Sequence, residues 1–392
     1  MRLEDICTVF TDGDWIESKD QSDEGIRLVQ TGNIGKGIYL EKEARAKYIS
    51  EDTFEKLKCT EIFPGDILVS RLPEPVGRAC IIPDKEERMI TAVDCTICRP
   101  DETVISKEYL CYFMRSNAYY TRLLGSVTGT TRKRISRKNL GNVELDVPSR
   151  EKQNEVVEQL DHLVNVIDSK TRELQLLDDL IQARFVEMFG DPVQNTKGWN
   201  IDTCKNLTSK IGSGATPKGG RESYGTEGIS LIRSMNVYNN RFEYKDLAYI
   251  TDEQADKLSN VTIEENDVLL NITGASVARC CAVPKELIPA RVNQHVAIVR
   301  CKDRLLPEFL CSMFTEDSYQ RLLWSIATSG GATREAITKQ QIEDLVLIVP
   351  PIELQQQFVD FCKQVNKLKV EIQKSLDETQ ILFDSLMQKY FG

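Results

Sequence analysis

Five basic side chains within one short stretch are the residues of this sequence best suited to binding a polyanion. The stretch Thr128 to Asn139, TGTTRKRISRKN, contains no acid and opens with small residues that let a ligand approach the backbone closely. Its candidate phosphate contacts are Thr130, Thr131, Arg132, Lys133, Arg134, Arg137 and Lys138. Lysine and arginine neutralise phosphates, while hydroxyl and amide groups donate hydrogen bonds to them. The stretch therefore predicts phosphate contact, with a solvated basic surface as the alternative.

A second stretch, Thr328 to Lys339, repeats this loop with different chemistry. Its sequence TSGGATREAITK retains the small residues together with Thr333 and Arg334, but it loses most of the positive charge. The same loop is thus predicted to be used in both repeats with different side chains, as expected if it helps to read two different nucleotide sequences.

Further polar residues at predicted strand ends are suited to base edges, because Asn and Gln match adenine and Arg matches guanine. Taken singly, each of them is also explained as an ordinary turn residue. The candidates for DNA contact are Gln30, Asn33, Arg71, Arg78, Lys218, Arg221, Arg233, Asn236, Tyr238, Asn239, Asn271 and Arg279.

Segments that resemble catalytic signatures lack the residues on which the chemistry depends. In residues 212–219, GSGATPKG, Pro217 replaces the second glycine of a phosphate-binding loop and Gly219 replaces its magnesium-binding hydroxyl residue. Residues 32–37, GNIGKG, have their glycines in the wrong order for a dinucleotide fingerprint, and the sequence contains no Asn/Asp-Pro-Pro-aromatic run of an amino-methyltransferase. We therefore predict no catalytic residue in this chain. The alternative is a nuclease-type site built from carboxylates that are scattered along the sequence.

Metal and membrane sites are not expected either. Cys95 and Cys98 form a CxxC motif without a second pair, in an alternating stretch typical of a strand, and the two histidines are too few for a metal centre. Twelve cysteines without a signal peptide indicate a reducing cytoplasm, and no apolar run approaches the ~20 residues that span a bilayer. The net charge of −10 speaks against nucleic acid at first sight, but residues 151–189 alone hold nine acids against four bases.

Two long helices are predicted to position the candidate loops. The segments Val147–Gly190 and Val349–Gly392 repeat each other at an offset of 202 residues. In both, apolar residues recur every three or four positions, which predicts a heptad seam with polar breaks at Lys170 and Arg184 and at Lys369 and Thr379. Because a narrow stripe cannot bury itself, we expect the helices to pair with each other, and the intervening domain makes that pairing antiparallel if its termini are neighbours.

The remaining segments also match each other, so the chain is a tandem duplication. We assign residues 1–146 and 191–348 to two domains and residues 147–190 and 349–392 to the helices. In the first domain we predict strands at Ile67–Ser70, Ala79–Ile82 and Ile90–Cys98 and one helix over Lys107–Leu124, with a counterpart over Pro307–Leu323. The fold class is mixed α/β, with two tandem domains separated by an antiparallel pair of coiled-coil helices and related by a pseudo-twofold axis.

The whole chain resembles the DNA-specificity subunit of type I restriction-modification enzymes. Twice over, a Gly/Thr/Arg loop precedes Ile, then Val-Pro with Glu and Gln, then a long helix that ends in Phe-Gly. Residues 213–218, SGATPK, resemble the family's start of a target-recognition domain, whereas residues 11–14, TDGD, stand at that place in the first domain.

The resemblance implies a non-catalytic, cytoplasmic subunit that binds double-stranded DNA. Each domain would read half of a split target, and the helices would serve as a ruler and a dock for two modification (methyltransferase) subunits, which restriction (motor-nuclease) subunits join. S-adenosylmethionine, ATP and Mg²⁺ would belong to those partners. A stand-alone nuclease or methyltransferase with a divergent active site, and a coiled-coil adaptor without DNA binding, are the alternatives.

Overall fold

The computed structural model describes residues 1–129, 133–217, 219–329 and 335–392. The chain forms two compact units: the first contains Met1–Thr171 and Lys374–Gly392, and the second contains Arg172–Gln373. Each unit therefore combines one globular part with half of each long helix.

The first unit is built on two four-stranded sheets. Its strands are β1 (Cys7–Asp12), β2 (Ile26–Val29), β3 (Tyr48–Ile49), β4 (Glu61–Ile62), β5 (Ile67–Ser70), β6 (Ala79–Ile81), β7 (Met89–Thr91) and β8 (Cys95–Pro100). Its helices are α1 (Glu51–Leu57), α2 (Lys107–Phe113), α3 (Asn117–Leu124), α4 (Arg137–Gly141) and the beginning of α5 (Arg150–Phe189). The sheet orders are β1-β8-β5-β6, which is antiparallel, and β3-β2-β7-β4, in which β2 and β7 are parallel.

The second unit repeats this plan, but its second sheet has three strands where that of the first unit has four. Its strands are β9 (Ile201–Thr203), β10 (Thr208–Ser213), β11 (Ile229–Ile232), β12 (Val237–Tyr238), β13 (Arg241–Phe242), β14 (Ala248–Ile250), β15 (Asp267–Asn271), β16 (Cys280–Ala282), β17 (Arg291–Val292), β18 (Val296–Cys301) and β19 (Val346–Ile348). Its helices are α6 (Cys204–Leu207), α7 (Asp252–Asp256), α8 (Pro307–Thr315), α9 (Asp317–Thr328), α10 (Lys339–Glu343) and the beginning of α11 (Ile352–Phe391). The main sheet, β10-β18-β15-β16, has the order of its counterpart and faces the smaller sheet β14-β11-β17.

The central sheet of each unit is buried on both faces. In β5, Ile67 and Val69 pack toward the helices, whereas Leu68 belongs to the cluster that includes the second sheet. Side chains alternate across a strand, so a strand that is covered on both faces carries apolar side chains at neighbouring positions in its middle. This explains the apolar run Ile67–Val69 of β5 and the same arrangement of Val268 and Leu269 in β15.

Three predicted elements are each divided in the structure. The helix expected over Lys107–Leu124 is two helices, because Ser116 has an extended backbone and accepts a hydrogen bond from the Tyr119 amide as the N-cap of α3. The counterpart is divided at Glu316, which caps α9 in the same way. The strand expected over Ile90–Cys98 is two strands separated by a turn at residues 92–94.

The two long helices follow their predicted seam. Each has 40 residues, and all ten seam positions of each are buried or half-buried. In the first unit the Tyr390 hydroxyl donates to Gln159 Oε1 at 2.6 Å, and in the second unit Lys369 pairs with Asp178. Since the end of one helix meets the beginning of the other within each unit, antiparallel pairing is confirmed.

A buried glutamine attaches each helix to its globular part. Gln153 accepts a hydrogen bond from the Ser106 amide at 2.8 Å and donates to the carbonyls of Val104 and Pro148, both at 3.0 Å. In the second unit Gln355 makes the equivalent three bonds, and both side chains are fully buried. The Gln of the repeated Val-Pro motif thus fixes the start of the helix to the loop before α2 or α8.

Candidate nucleic-acid interface

Backbone hydrogen bonds bring the predicted basic residues of the first unit to one end of its main sheet. The amide of Arg71, just after β5, donates to the carbonyl of Asp94 at 2.9 Å, and the amide of Ile135 donates to the carbonyl of Arg71 at 3.3 Å. Ile135 is fully buried and anchors the basic stretch beside these two loops. The sheet therefore supports the residues that the sequence singled out.

Three arginines at this end face two aspartates. The guanidinium of Arg71 lies 3.2 Å from a carboxylate oxygen of Asp12, and that of Arg137 lies 4.0 Å from the same oxygen. Arg134 forms a 3.0 Å ion pair with Asp94. We define Asp12, Arg71, Asp94, Arg134 and Arg137 as the arginine–aspartate cluster.

The members of the cluster differ in accessibility. Arg71 is buried, its guanidinium donates to the Val93 carbonyl at 2.5 Å, and burial lowers its pKa from the ordinary arginine value. The side chains of Arg134 and Arg137 are about half exposed, and Lys133 and Lys138 are exposed beside them. The outer four basic residues can reach a ligand, whereas Arg71 supports the loops from within.

Four other predicted contacts use their polar groups within the protein. The side chain of Asn33 accepts from the Gln30 amide at 3.0 Å and donates to two carbonyls, and Asn236 makes the same contacts in the second unit. Arg78 donates to the carbonyls of Thr31, Ile34, Leu72 and Pro75. Asn271 donates to the carbonyls of Ser234 and Val237 at 2.9 and 3.3 Å. These side chains hold the loops in shape, and their contact with DNA stays a prediction.

Gln30, Asn239 and Arg233 take separate places. Gln30 is exposed before a short 3-10 helix, and Asn239 is exposed in the turn between β12 and β13. Arg233 packs over the Tyr224 ring at 5.4 Å and donates to the Asp246 carbonyl, which holds it along its own loop.

The second unit forms a cleft at the equivalent end of its main sheet. The cleft contains the predicted Tyr238 and Arg279 together with Thr273, His295 and Glu335. The guanidinium carbon of Arg279 lies 4.7 Å from the centre of the Tyr238 ring, and that of Arg241 lies 5.0 Å from the same centre. An aromatic ring can stack on a base, and arginines can neutralise phosphates. The cleft therefore contains side chains of the kinds with which proteins bind nucleic acids.

A chain of hydrogen bonds that leads into this cleft was missed by sequence reasoning. Thr216 bonds to Gln294, the Gln294 amide nitrogen lies 3.1 Å from His295 Nε2, and His295 Nδ1 lies 2.6 Å from Thr273 Oγ1. His295 is one of the two histidines that are too few for a metal centre. Its position immediately before β18, equivalent to that of Asp94 before β8, is the signal that could have found it.

Six predicted contacts lie outside the described residues: Thr130, Thr131, Arg132, Lys218, Thr333 and Arg334. The side chain of Arg221 is not described either. In the glycine-rich segment that contains Lys218, Gly214 leaves no room for a side chain, because a Cβ there would lie 1.8 Å from the Val292 carbonyl oxygen.

Cys95 and Cys98 lie in β8, as expected, and both are buried. Burial raises the pKa of the Cys95 thiol to about 12. In the described ranges no three Cys, His, Asp or Glu side chains are grouped as metal ligands, and no helix there is long and apolar enough to cross a membrane.

Comparison with known proteins places this architecture among DNA-specificity proteins. A putative type I restriction enzyme MjaX specificity subunit of Methanocaldococcus jannaschii is 21% identical over 402 residues, which covers 96% of this chain and 88% of the relative. The type I restriction enzyme EcoKI specificity subunit of Escherichia coli is 18% identical over 318 residues and covers 76% of this chain and 67% of its own length. A crystal structure of a type I restriction-modification S subunit from M. genitalium shares the fold with a TM-score of 0.58 at 12% identity, covering 100% of this chain and 95% of the other.

A second solved structure, from work on complex assembly and conformational transition of the type I R-M system, has a TM-score of 0.59 at 17% identity. It covers 100% of this chain and 96% of the other. Residues 1–178 and 197–380 each match the sequence model of the type I restriction modification DNA specificity domain. These two matches include nearly all of the chain, which therefore belongs to the type I restriction-modification DNA-specificity family.

Proposed function

We propose that this chain is the non-catalytic DNA-specificity subunit of a type I restriction-modification system, in which each unit reads one half of a split target. The observation that carries the proposal is the repetition of one loop cluster at the same end of the main sheet in both units. The cluster is lined by arginines in the first unit and by Tyr238, Arg279 and His295 in the second. Different side chains on one scaffold suit two different half-sites.

The exposed basic residues of the first unit provide the test of DNA binding. Changing Lys133 and Lys138 to Ala is expected to weaken binding nearly equally for all duplexes, because phosphate contacts carry no sequence information. The slope of log affinity against log salt should become shallower by up to about 0.9 per lost contact. The measurement is fluorescence anisotropy of the assembled complex across a salt series.

The matched control is the double change of Lys47 and Lys56, which are exposed in the same unit. We expect it to leave the salt slope as it is. An unchanged slope in the Lys133 and Lys138 variant, together with an unchanged affinity, would contradict the assignment.

The long helices carry a second function, which is to dock partner subunits. On one flank of the seam, apolar side chains such as Phe185 and Val359 are buried in the core of the second unit. On the other flank, Leu176, Leu180 and Leu368 are 56%, 46% and 44% exposed. We call these three residues the open flank of the second unit. Exposed leucines in a group are typical of an interaction site.

The heptad geometry places Leu180 opposite Leu368. Both precede a seam position by one residue, and antiparallel helices bring equivalent flank positions together, in the register that Asp178 and Lys369 define. The offset of 202 gives Leu382 and Val166 as the corresponding pair in the first unit, where Leu382 is 49% exposed. Two equivalent apolar pairs support docking of two modification subunits. Those subunits would bind S-adenosylmethionine as the methyl donor. ATP and Mg²⁺ would act on the restriction subunits.

Charged substitutions on the open flank test this stoichiometry. Changing Leu180 and Leu368 to Glu should remove one of two modification subunits, since burying two new carboxylates opposes docking. Changing Val166 and Leu382 to Glu should remove the other, and the fourfold variant should bind none. Native mass spectrometry of the purified complex counts the subunits.

The matched control changes Asn154 and Lys367, which are exposed on the same helices, to Glu. It should leave both modification subunits bound. Circular dichroism of every variant reports whether the helices persist. Retention of two modification subunits by the fourfold variant would refute the docking assignment.

A further inference from the structure

The ion pair between Arg134 and Asp94 is held by backbone on both sides. The Asp94 carbonyl accepts from the Arg71 amide, and the Val93 amide before it donates to the Asp14 carbonyl at 2.9 Å. The amide and the carbonyl of Arg134 both bond to Thr128 at 2.9 Å. Both partners are therefore fixed at their backbones, while their side chains remain partly exposed, 47% for Arg134 and 35% for Asp94.

The presence of a carboxylate argues against a simple phosphate contact by Arg134. A phosphate brought to this guanidinium would approach the Asp94 carboxylate as well, and two negative charges at close range repel. A guanine edge presents the neutral acceptors O6 and N7 and adds no such repulsion. The Asp94 contact engages Nη2, one of the guanidinium nitrogens that together carry five N–H donors, so donors remain for a second partner.

We infer that Arg134 reads a guanine in the half-site of the first unit and that Asp94 is the positioning residue that orients it. An arginine with a fixed carboxylate partner loses less side-chain freedom on binding, which favours the two parallel hydrogen bonds to O6 and N7. The inference rests on the proposed function. It also divides the basic stretch, since Arg134 becomes a base contact and the exposed lysines beside it remain phosphate contacts.

The second unit serves as an internal comparison. The amide of Ile337 donates to the Ile272 carbonyl as that of Ile135 donates to the Arg71 carbonyl, so Ala336 stands in the place of Arg134. The place of Asp94 is taken by His295. The arginine and its carboxylate partner are thus both replaced in the second unit. Any effect of the pair on target sequence should be confined to one half-site.

The test is Asp94→Asn in the complete complex with its modification subunits. The methylated motif of the wild-type complex is first read by sequencing the methylome of a host that carries it. Binding is then measured for duplexes in which each base pair of both half-sites is varied in turn. We expect discrimination at one guanine of one half-site to fall by about 10- to 100-fold, the range that one bidentate contact supplies, with the other half-site unchanged.

Arg134→Lys should loosen the same position while the salt slope stays the same, because Lys keeps the charge but cannot form the paired contact. Asp23→Asn removes one exposed negative charge elsewhere in the same unit and should change no position. Melting temperatures of all variants show whether the fold is kept.

Three outcomes overturn the inference. If Asp94→Asn tightens binding equally for every duplex, Arg134 contacts phosphate. If both Asp94→Asn and Arg134→Lys leave every position as specific as before, the pair has no part in reading. If the loosened position is not a guanine, the chemistry assigned to it is wrong. Failure of the wild-type complex to prefer any duplex would instead refute the proposed function itself.

Discussion

Replacing Gln355 with Leu is expected to lower the free energy of unfolding of the second unit by about 3 kcal/mol or more. The substitution removes the buried partner of three backbone groups, namely the Leu306 amide and the carbonyls of Arg304 and Pro350. Each buried polar group that loses its hydrogen bond costs about 1–3 kcal/mol. Chemical unfolding of the purified chain measures the change, and hydrogen exchange near residue 306 locates it.

The neighbouring residue provides the control for this substitution. Gln356 is exposed and bonds to Asp360 within its own helix, so Gln356→Leu should change stability by no more than about 0.5 kcal/mol. Gln153→Leu should destabilise the first unit as Gln355→Leu destabilises the second. Equal stability of the Gln355 and Gln356 variants would show that the buried bonds do not hold helix and globular part together.

Inserting four residues into each long helix, after Lys170 and after Ile372, is expected to widen the gap between the two half-sites. Both insertion points lie within two residues of the division between the units, so the helix pairing inside each unit is kept. Four residues add about 6 Å of helix, which corresponds to one or two base pairs at ~3.4 Å each. Both half-site sequences should stay as they are, because the recognition loops are untouched.

Methylome sequencing reads both the gap and the half-sites in one measurement. Insertion into α5 alone should abolish methylation, because it moves the rest of that helix out of register with α11. Insertion of the same four residues after Glu86, in an exposed loop, should leave the motif unchanged. An unchanged gap in the doubly extended chain would mean that the helices do not determine the spacing.

The long helices could be predicted because their signal is local and occurs twice. Apolar residues three and four positions apart give one helical face, and the second copy at an offset of 202 repeats that face, although its polar breaks fall at other positions of the seam. The breaks at Ser116 and Glu316 were missed because the apolar pattern continues across them, and only the capping hydrogen bonds show where one helix stops.

The site was predictable in composition but not in orientation. The basic stretch and the twin loops were found from residue types alone. An Asn at a strand end has the same letter whether it faces solvent or its own loop, and Asn33 and Asn236 turn inward. Sequence could not show that Asp94 faces Arg134 either, because 40 residues separate them and the backbone bonds of the folded chain, among them those of Arg71 and Ile135, bring them together. The open flank could not be predicted either, because its exposure depends on which side of the seam the globular part covers.

The division of both helices between the units also sets the order in which this chain can be completed during synthesis. All residues of the second unit have been made at Gln373, but the first unit still awaits the segment with Phe383 and Met387, which are buried in its core. From Thr171 to Phe391 the ribosome adds 220 residues, which takes roughly 10–40 s at ordinary elongation rates. During that interval Leu160 and Leu163 lack their helical partner and present apolar surface. The half of the protein that is translated first is therefore the last to become complete. While the ribosome is still at work, this half has the greater need of chaperones or of other protection against aggregation.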